Sequence, residues 1–242
     1  MQAIYKPKGK ALEYCERAVN LYRGCGHGCA YCYAPNALHM PRAAFGAPEP
    51  RHGVVAAIGK DAAKHAGREV LLCFTTDPYH PASDNTTRGA ILALQTGGCR
   101  VTILTKSGER SARDFDILRP GLDRYGATLT FNNDADSLAW EPGASLPLER
   151  IAMLRLAKLK GIATWASLEP VIDPAQSLRL IAMTRGVVDL YKIGRWNHDS
   201  RANAIDWRAF AVAAVAACKA QGSPFVLKKD LAVHLPTSIA AA

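Results

Sequence analysis

The stretch Asn20-Leu21-Tyr22-Arg23-Gly24-Cys25-Gly26-His27-Gly28-Cys29-Ala30-Tyr31-Cys32-Tyr33 places three thiols within eight residues. Thiolates are the usual ligands of iron–sulfur clusters, and cysteines separated by three and then two residues reach three corners of one cube from a single wrapping loop. No fourth cysteine lies nearby. One iron is therefore left without a protein ligand, open to the amino and carboxylate groups of a small molecule. The interleaved glycines allow the close-approach backbone that such a loop requires. A zinc site using the same cysteines with His27 or His39 is the competing reading, but structural zinc sites pair two short ligand spacings, and no second pair is present. A redox dithiol of Cys29 and Cys32 leaves Cys25 unexplained.

Working outward, 242 residues of which 49% are hydrophobic suffice for one sizeable core. The division expected is a basic N-terminal arm over 1–17 with Lys6, Lys8 and Lys10, one domain over 18–235, and a frayed tail over 236–242. The formal charge of +9 is spread along the chain, which fits a nucleic-acid or phosphate-bearing partner and equally an ordinary basic enzyme. Seven cysteines, an odd number in a chain too long to need disulfide staples, read as reduced thiols, so a cytoplasmic location is expected. The N-terminus lacks the apolar run of a signal peptide, and no later stretch suits a bilayer, so no membrane partner is expected.

Short apolar segments alternate with segments of helical period, the pattern of a parallel α/β protein. Strands are predicted at Ala18–Tyr22, Glu69–Thr75, Arg100–Thr105, Ala127–Phe131, Ala163–Leu168 and Val187–Ile193, with a weaker seventh at Phe225–Leu227. Helices are predicted at Ser83–Gln95, Leu148–Leu159, Pro174–Met183 with Asp173 as N-cap, and Asn203–Ala220.

The cysteine loop, with Tyr31 before its last cysteine, resembles the signature of the radical S-adenosylmethionine (radical SAM) superfamily. The similarity is to its spore photoproduct lyase-related branch and extends from about Asn20 to Asp173. It is carried by Cys73-Phe-Thr-Thr-Asp77, Val101 through Lys106, Thr128-Leu-Thr-Phe-Asn-Asn133 with Glu141-Pro-Gly143, and Gly161 through Pro170. The resemblance implies a partial (β/α)6 barrel, whose active face lies at the C-terminal strand ends. It implies a 4Fe-4S cluster on Cys25, Cys29 and Cys32. S-adenosyl-L-methionine would meet Thr76 and Asp77 at its amino group, Lys106 and Thr130 at its carboxylate or ribose, and Tyr31 or Tyr33 at its adenine. Asn132 and Glu169 complete the implied cofactor contacts. The implied chemistry is formation of a 5′-deoxyadenosyl radical, with a flavodoxin or ferredoxin-type electron donor.

The sequence departs from the lyases in two places. Anchored on Asp77, their hydrogen-returning cysteine aligns with Phe74. Cys73, one residue earlier, is the candidate catalytic counterpart, but it would face the opposite side of a regular strand, which favours a buried core thiol. The chain also ends soon after the sixth strand, without the longer region that helps the lyases hold lesion DNA. Gly194-Arg195-Trp196-Asn197-His198 offers a cation, a stacking surface and polar groups suited to a nucleotide, and Tyr79 and His80 are expected to join them. The leading expectation is modification, rearrangement or repair of a thymine-derived base in DNA, with phage enzymes that rearrange hypermodified thymidines as one reaction class. Alternatives are a radical enzyme acting on a peptide or small metabolite, and a non-catalytic zinc-stabilised nucleic-acid-binding module.

Overall fold

A computed structural model describes residues 2–240. Its strands are β1 (Ala18–Val19), β2 (Tyr22–Arg23), β3 (Glu49–Pro50), β4 (Glu69–Leu72), β5 (Arg100–Thr105), β6 (Arg124–Thr128), β7 (Ala163–Val171), β8 (Leu190–Arg195) and β9 (Phe225–Leu227). Seven of them form one open sheet in the order β1-β4-β5-β6-β7-β8-β9, every neighbouring pair parallel, while β2 and β3 pair antiparallel outside it. The sheet does not close on itself, so the architecture is an α/β partial barrel, its six expected strands joined at the edge by the weaker seventh expected at Phe225–Leu227.

The departures from the expected elements have local causes. The strand expected at Ala18–Tyr22 breaks after Val19 because Asn20 turns its side chain onto the neighbouring chain, accepting from the Phe74 and Thr75 N–H groups at 2.8 and 2.9 Å. Tyr22 then pairs with Pro50 in the small antiparallel ladder. The fourth expected strand begins three residues earlier, at Arg124. Gly126 hides its sheet-forming character, since the Trp165 indole occupies the space where a Cβ would stand 2.3 Å from Nε1. β4 stops at Leu72, short of Thr75, and β8 starts at Leu190 because Val187 and Val188 turn back onto the Thr184 carbonyl.

Helices carry most crossovers: α1 (Ala34–Ala37), α2 (Arg42–Phe45), α3 (Val54–Asp61), α4 (Thr86–Thr96), α5 (Asp134–Trp140), α6 (Pro147–Leu159), α7 (Pro174–Met183), α8 (Trp207–Ala220), α9 (Lys229–Ala232) and α10 (Thr237–Ala240). Asp173 caps α7 as expected, accepting from Ala175 and Gln176 N–H at 2.8 and 3.1 Å. The helix expected from Asn203 begins at Trp207 behind the Asp206 cap, and Ser200–Ala204 forms a separate 3-10 turn. Part of the tail expected to fray is helical, and its last two residues, like residue 1 of the arm, lie outside the described residues.

The two faces of the sheet bury different sets. Val70, Leu72, Val101, Ile103, Ala166 and Leu168 join the large core with the helices. Leu71 and Trp165, on the other face, pack with Ala18 and Cys15 and with Tyr5 and Tyr14 of the N-terminal segment. That segment is thus part of the sheet's packing. Ile4 is fully buried, Tyr5 bridges Ala18 along the β1 edge, and a 3-10 turn spans Gly9–Glu13.

Candidate active site

A cavity of about 450 Å³ opens at the C-terminal strand ends, within the usual range for small-molecule sites. Its walls take residues from the N-terminal turn, the cysteine loop and the segments that follow or end β4 through β9, and Cys25, Cys29 and Cys32 all line it. The loop is fastened from three sides. Cys25 N–H donates to Phe45 O, Ala30 N–H to Trp140 O, and Gly143 N–H to His27 O, each at 2.8 Å. Arg42 donates to the carbonyls of Cys29, Ala30 and Cys32 at 3.0–3.3 Å. Gly24 sits at φ +94°, and a Cβ there would stand 2.4 Å from Phe45 O, so glycine is required by both conformation and space.

Behind the loop lies a layer of buried charge. The Asp77 carboxylate accepts from Tyr79 N–H (2.8 Å), Thr105 Oγ1 (2.7 Å) and Lys106 N–H (2.7 Å), and pairs with His27 Nε2 at 3.0 Å. Burial works to raise its pKa, but the adjacent His27 and these N–H donors override it and hold the carboxyl well below the usual range. The other His27 nitrogen, Nδ1, pairs with Gly143 O at 2.9 Å. Further in, Arg150 Nη2 meets Glu141 Oε2 at 2.5 Å, with both residues about 1% exposed. Glu141 also accepts from Tyr31 Oη and from Thr130 Oγ1 (3.1 Å), and Lys106 Nζ lies 5.6 Å from the Tyr31 ring centroid. Burial also pushes up the Cys25 and Cys29 thiols, Cys29 to about 12 despite the opposing charge of Lys106.

Of the residues singled out by sequence, Tyr31, Tyr33, Cys73, Thr76, Asp77, Lys106, Glu169, Arg195, Trp196, Asn197 and His198 line the cavity. Thr76 Oγ1 is spent on the Gly24 carbonyl at 2.5 Å, and the Asp77 carboxylate on its four partners. Thr130 stands behind Tyr31, and Asn132 donates its N–H to Gln176; neither lines the cavity. Tyr79 and His80, expected at the substrate, are fully buried and away from the cavity. The chain dives into the core after Asp77, and His80 packs edge-on against Tyr22 at 4.5 Å. Cys73 is buried in the large core, as expected, and also borders the cavity, because the regular strand ends at Leu72 and alternation no longer governs the next residue. His198 holds φ +66°, unusual for a side chain with a Cβ, and stacks on Tyr33 at 5.4 Å.

The sequence reading missed Tyr14, Lys8, Lys10 and Lys228 in the cavity wall, and Arg150 behind it. Arg150 left a readable signal, since it shares a helix face with Leu154 and Ala157, where a charge is out of place unless paired. The Lys228–Glu169 pair left none, as it joins residues 59 apart. Among the described residues no three His, Cys, Asp or Glu side chains group closely enough to hold a single metal ion. Three thiols that reach separate corners of a cube need no such grouping. His27 has both ring nitrogens committed and His39 is exposed outside the cavity, so neither stands ready as a fourth zinc ligand.

The structure aligns with a spore photoproduct lyase variant at a TM-score of 0.71 and 13% identity, covering 94% of this chain and 79% of that one. The chain has the radical SAM fold. A spore photoproduct lyase complexed with a dinucleoside spore photoproduct shares this radical SAM fold at a TM-score of 0.63 and 18% identity, over 84% of this chain and 62% of that one. SuiB of Streptococcus suis bound to S-adenosylmethionine shares it at 0.64 and 11%, over 87% and 49%. No family model matches the sequence. Among curated proteins, an uncharacterized protein of Acidianus two-tailed virus is 28% identical over 173 residues, 65% of this chain and 56% of its own. An uncharacterized protein of Mycobacterium tuberculosis strain H37Rv is 28% identical over 179 residues, 69% and 52%. The chain thus spans about half the length of the curated relatives it matches. No helix among the described residues is long and apolar enough to cross a membrane.

Proposed function

We propose that the chain is a radical SAM enzyme acting on a pyrimidine base of a nucleic-acid strand. The observation that carries the reading is the convergence of Cys25, Cys29 and Cys32 on one cavity whose remaining wall offers stacking rings and cations. The three thiols suit three irons of a 4Fe-4S cluster, and the fourth iron would be left for S-adenosyl-L-methionine. When bound, these groups supply a 5′-deoxyadenosyl radical that removes a hydrogen atom from an unactivated carbon.

The chain's own residues divide the remaining work. Tyr31, held by Glu141, and Tyr33, stacked on His198, wall the site beside the loop, and Lys106 presents an ammonium to the cavity as a carboxylate partner. His27 and Asp77 keep the loop seated against the ends of β4 and β5. Arg195, Trp196, Asn197 and His198 face the substrate. Cys73 is the candidate hydrogen donor: burial raises its pKa, so it stays an S–H at neutral pH, the form from which a hydrogen atom is given.

The nucleic-acid reading draws support from the cationic wall and from the dinucleoside-bound lyase that shares the fold. A peptide or small-metabolite substrate is the second reading, favoured by a cavity volume of about 450 Å³, within the range of small-molecule sites. Anaerobic reconstitution, iron and sulfide analysis, and incubation with S-adenosylmethionine and a reductant test the proposal. About four irons and four sulfides per chain and formation of 5′-deoxyadenosine are expected, both lost in Cys25→Ala, Cys29→Ala and Cys32→Ala. One zinc per chain would overturn it. Deuterium transfer into 5′-deoxyadenosine from labelled thymidine oligonucleotides, against labelled peptides, separates the two substrate readings.

A further inference from the structure

We propose that the N-terminal turn is part of the substrate site, where Lys8, with Arg195 beside the Trp196 ring, forms an anion subsite for the phosphodiester of a single nucleic-acid strand. The inference deepens the nucleic-acid reading above and rests on it.

The turn is built into the wall. Tyr14 Oη donates to Glu169 Oε2 at 2.5 Å, its ring lies under the Lys228 ammonium at 3.2 Å, and it meets Phe74 and Trp165 edge-on at 5.8 and 6.3 Å. Lys192 Nζ donates to the Glu13 and Tyr14 carbonyls at 3.2 and 2.5 Å, and Glu13 Oε2 accepts from Lys229 N–H at 2.8 Å. Lys10 Nζ donates to Asn197 Oδ1 at 2.6 Å and Asp230 Oδ2 at 2.8 Å, which sets the turn beside the end of β8. With Lys10 anchored in this way, the neighbouring Lys8 lines the cavity with no hydrogen bond or ion pair to any described residue.

Charge on this side is uncompensated. Lys228 is paired with Glu169, and the only other carboxylate lining the cavity, Asp77, is consumed by His27 and its backbone donors. Lys8 and Arg195 face no counter-charge there. Arg195 is positioned from behind, its Nη1 pairing with His234 Nε2 at 3.2 Å and its guanidinium lying 4.8 Å from the Trp207 ring centroid, and it lines the cavity together with Trp196. Trp196 is 95% buried by its 5% exposure. Two cations without a carboxylate partner, in the same cavity as the Trp196 ring and the Tyr33–His198 stack, match a phosphodiester whose base lies on an aromatic face.

The test uses the anaerobically reconstituted full chain and a short single-stranded thymidine oligonucleotide, followed by fluorescence anisotropy as salt is raised. One phosphate contact on a single strand contributes about 0.7 to the slope of log affinity against log salt. Lys8→Gln should therefore flatten the slope by about 0.7 and weaken binding about eightfold near 50 mM salt and about threefold near 200 mM, and Lys8→Arg should restore both. Lys6→Gln, outside the cavity, should change neither. Equal losses in Lys6→Gln and Lys8→Gln, an unchanged slope in Lys8→Gln, or no oligonucleotide binding alongside tight binding of an acidic peptide would overturn the subsite. 5′-Deoxyadenosine formation by the wild-type protein is scored separately, so failure of the radical reading is distinguished from failure of the subsite.

Discussion

Removing the Glu141 carboxylate leaves the Arg150 guanidinium charged and 1% exposed, with the Ser145 and Thr128 carbonyls at 2.8 and 3.0 Å as its principal remaining partners. Breaking a buried pair on one side typically costs about 3–5 kcal/mol, against a whole-domain stability of about 5–15 kcal/mol. Tyr31 and Thr130 lose a shared acceptor but stand 3.3 Å apart and can pair with each other, so little is added on their account. Glu141→Ala should therefore lose about 3–5 kcal/mol, and Glu141→Gln, which keeps an acceptor but no charge, about 1.5–3 kcal/mol. With a urea m-value of about 3 kcal/mol/M, the alanine variant's midpoint falls by about 1–1.7 M in anaerobic unfolding followed by circular dichroism. The double variant Glu141→Leu/Arg150→Met, which removes both charges, should recover most of the loss. A midpoint shift below about 0.3 M for Glu141→Ala, or a double variant no better than the single one, would refute the claim that this pair is held together by mutual neutralisation. Iron content adds a second readout, because freeing Tyr31 loosens the loop between Cys29 and Cys32.

His80 is buried, accepts the Ala82 N–H at Nδ1, and leaves Nε2 without a partner; burial lowers its pKa to about 4. The unfolded chain takes up this proton near pH 6.5 and the folded one resists it. Stability is thus full above about pH 6.5 and falls towards pH 4 by about 3 kcal/mol, a loss that His80→Gln should remove from the pH profile. A Cβ at Gly143 would lie 2.5 Å from Gly26 O and 2.9 Å from His27 Cα, both backbone. Gly143→Ala should displace the cysteine loop and reduce iron and sulfide per chain, and a full complement would show that the loop yields. Gly59, exposed within α3, has nothing within 4 Å of its Cβ position, so Gly59→Ala should raise stability by about 0.8–1 kcal/mol in the same urea assay.

The elements legible in the sequence were those governed by local rules. β5 is a run of apolar and β-branched residues and matches its expected bounds, and Asp173-Pro174 starts α7 where its capping chemistry requires. The cysteine loop was legible because spacing alone brings its thiols to one wall. Where a tertiary partner decides the outcome, the reading slipped. Gly126 is a strand residue because Trp165 fills its missing side chain, and Asn20 ends β1 because residues 74 and 75 offer it two N–H groups. Tyr79 and His80 look like site residues on position after Asp77, yet the chain's descent into the core is set by packing against Tyr22 and Ser107. Lys10 reads as part of a basic arm for the same reason, its partners Asn197 and Asp230 being some two hundred residues away.

Lys10 reaches Asp230 and Glu13 reaches Lys229, residues 220 and 216 apart in sequence. The cavity wall is therefore a clasp between a segment made before β1 and a segment made only after β8. Until that segment arrives, Tyr14 has no Lys228 above it and the thiols face an open trough. A group entering the cavity before that segment is made thus meets a wide entrance, and one entering afterwards a narrow one.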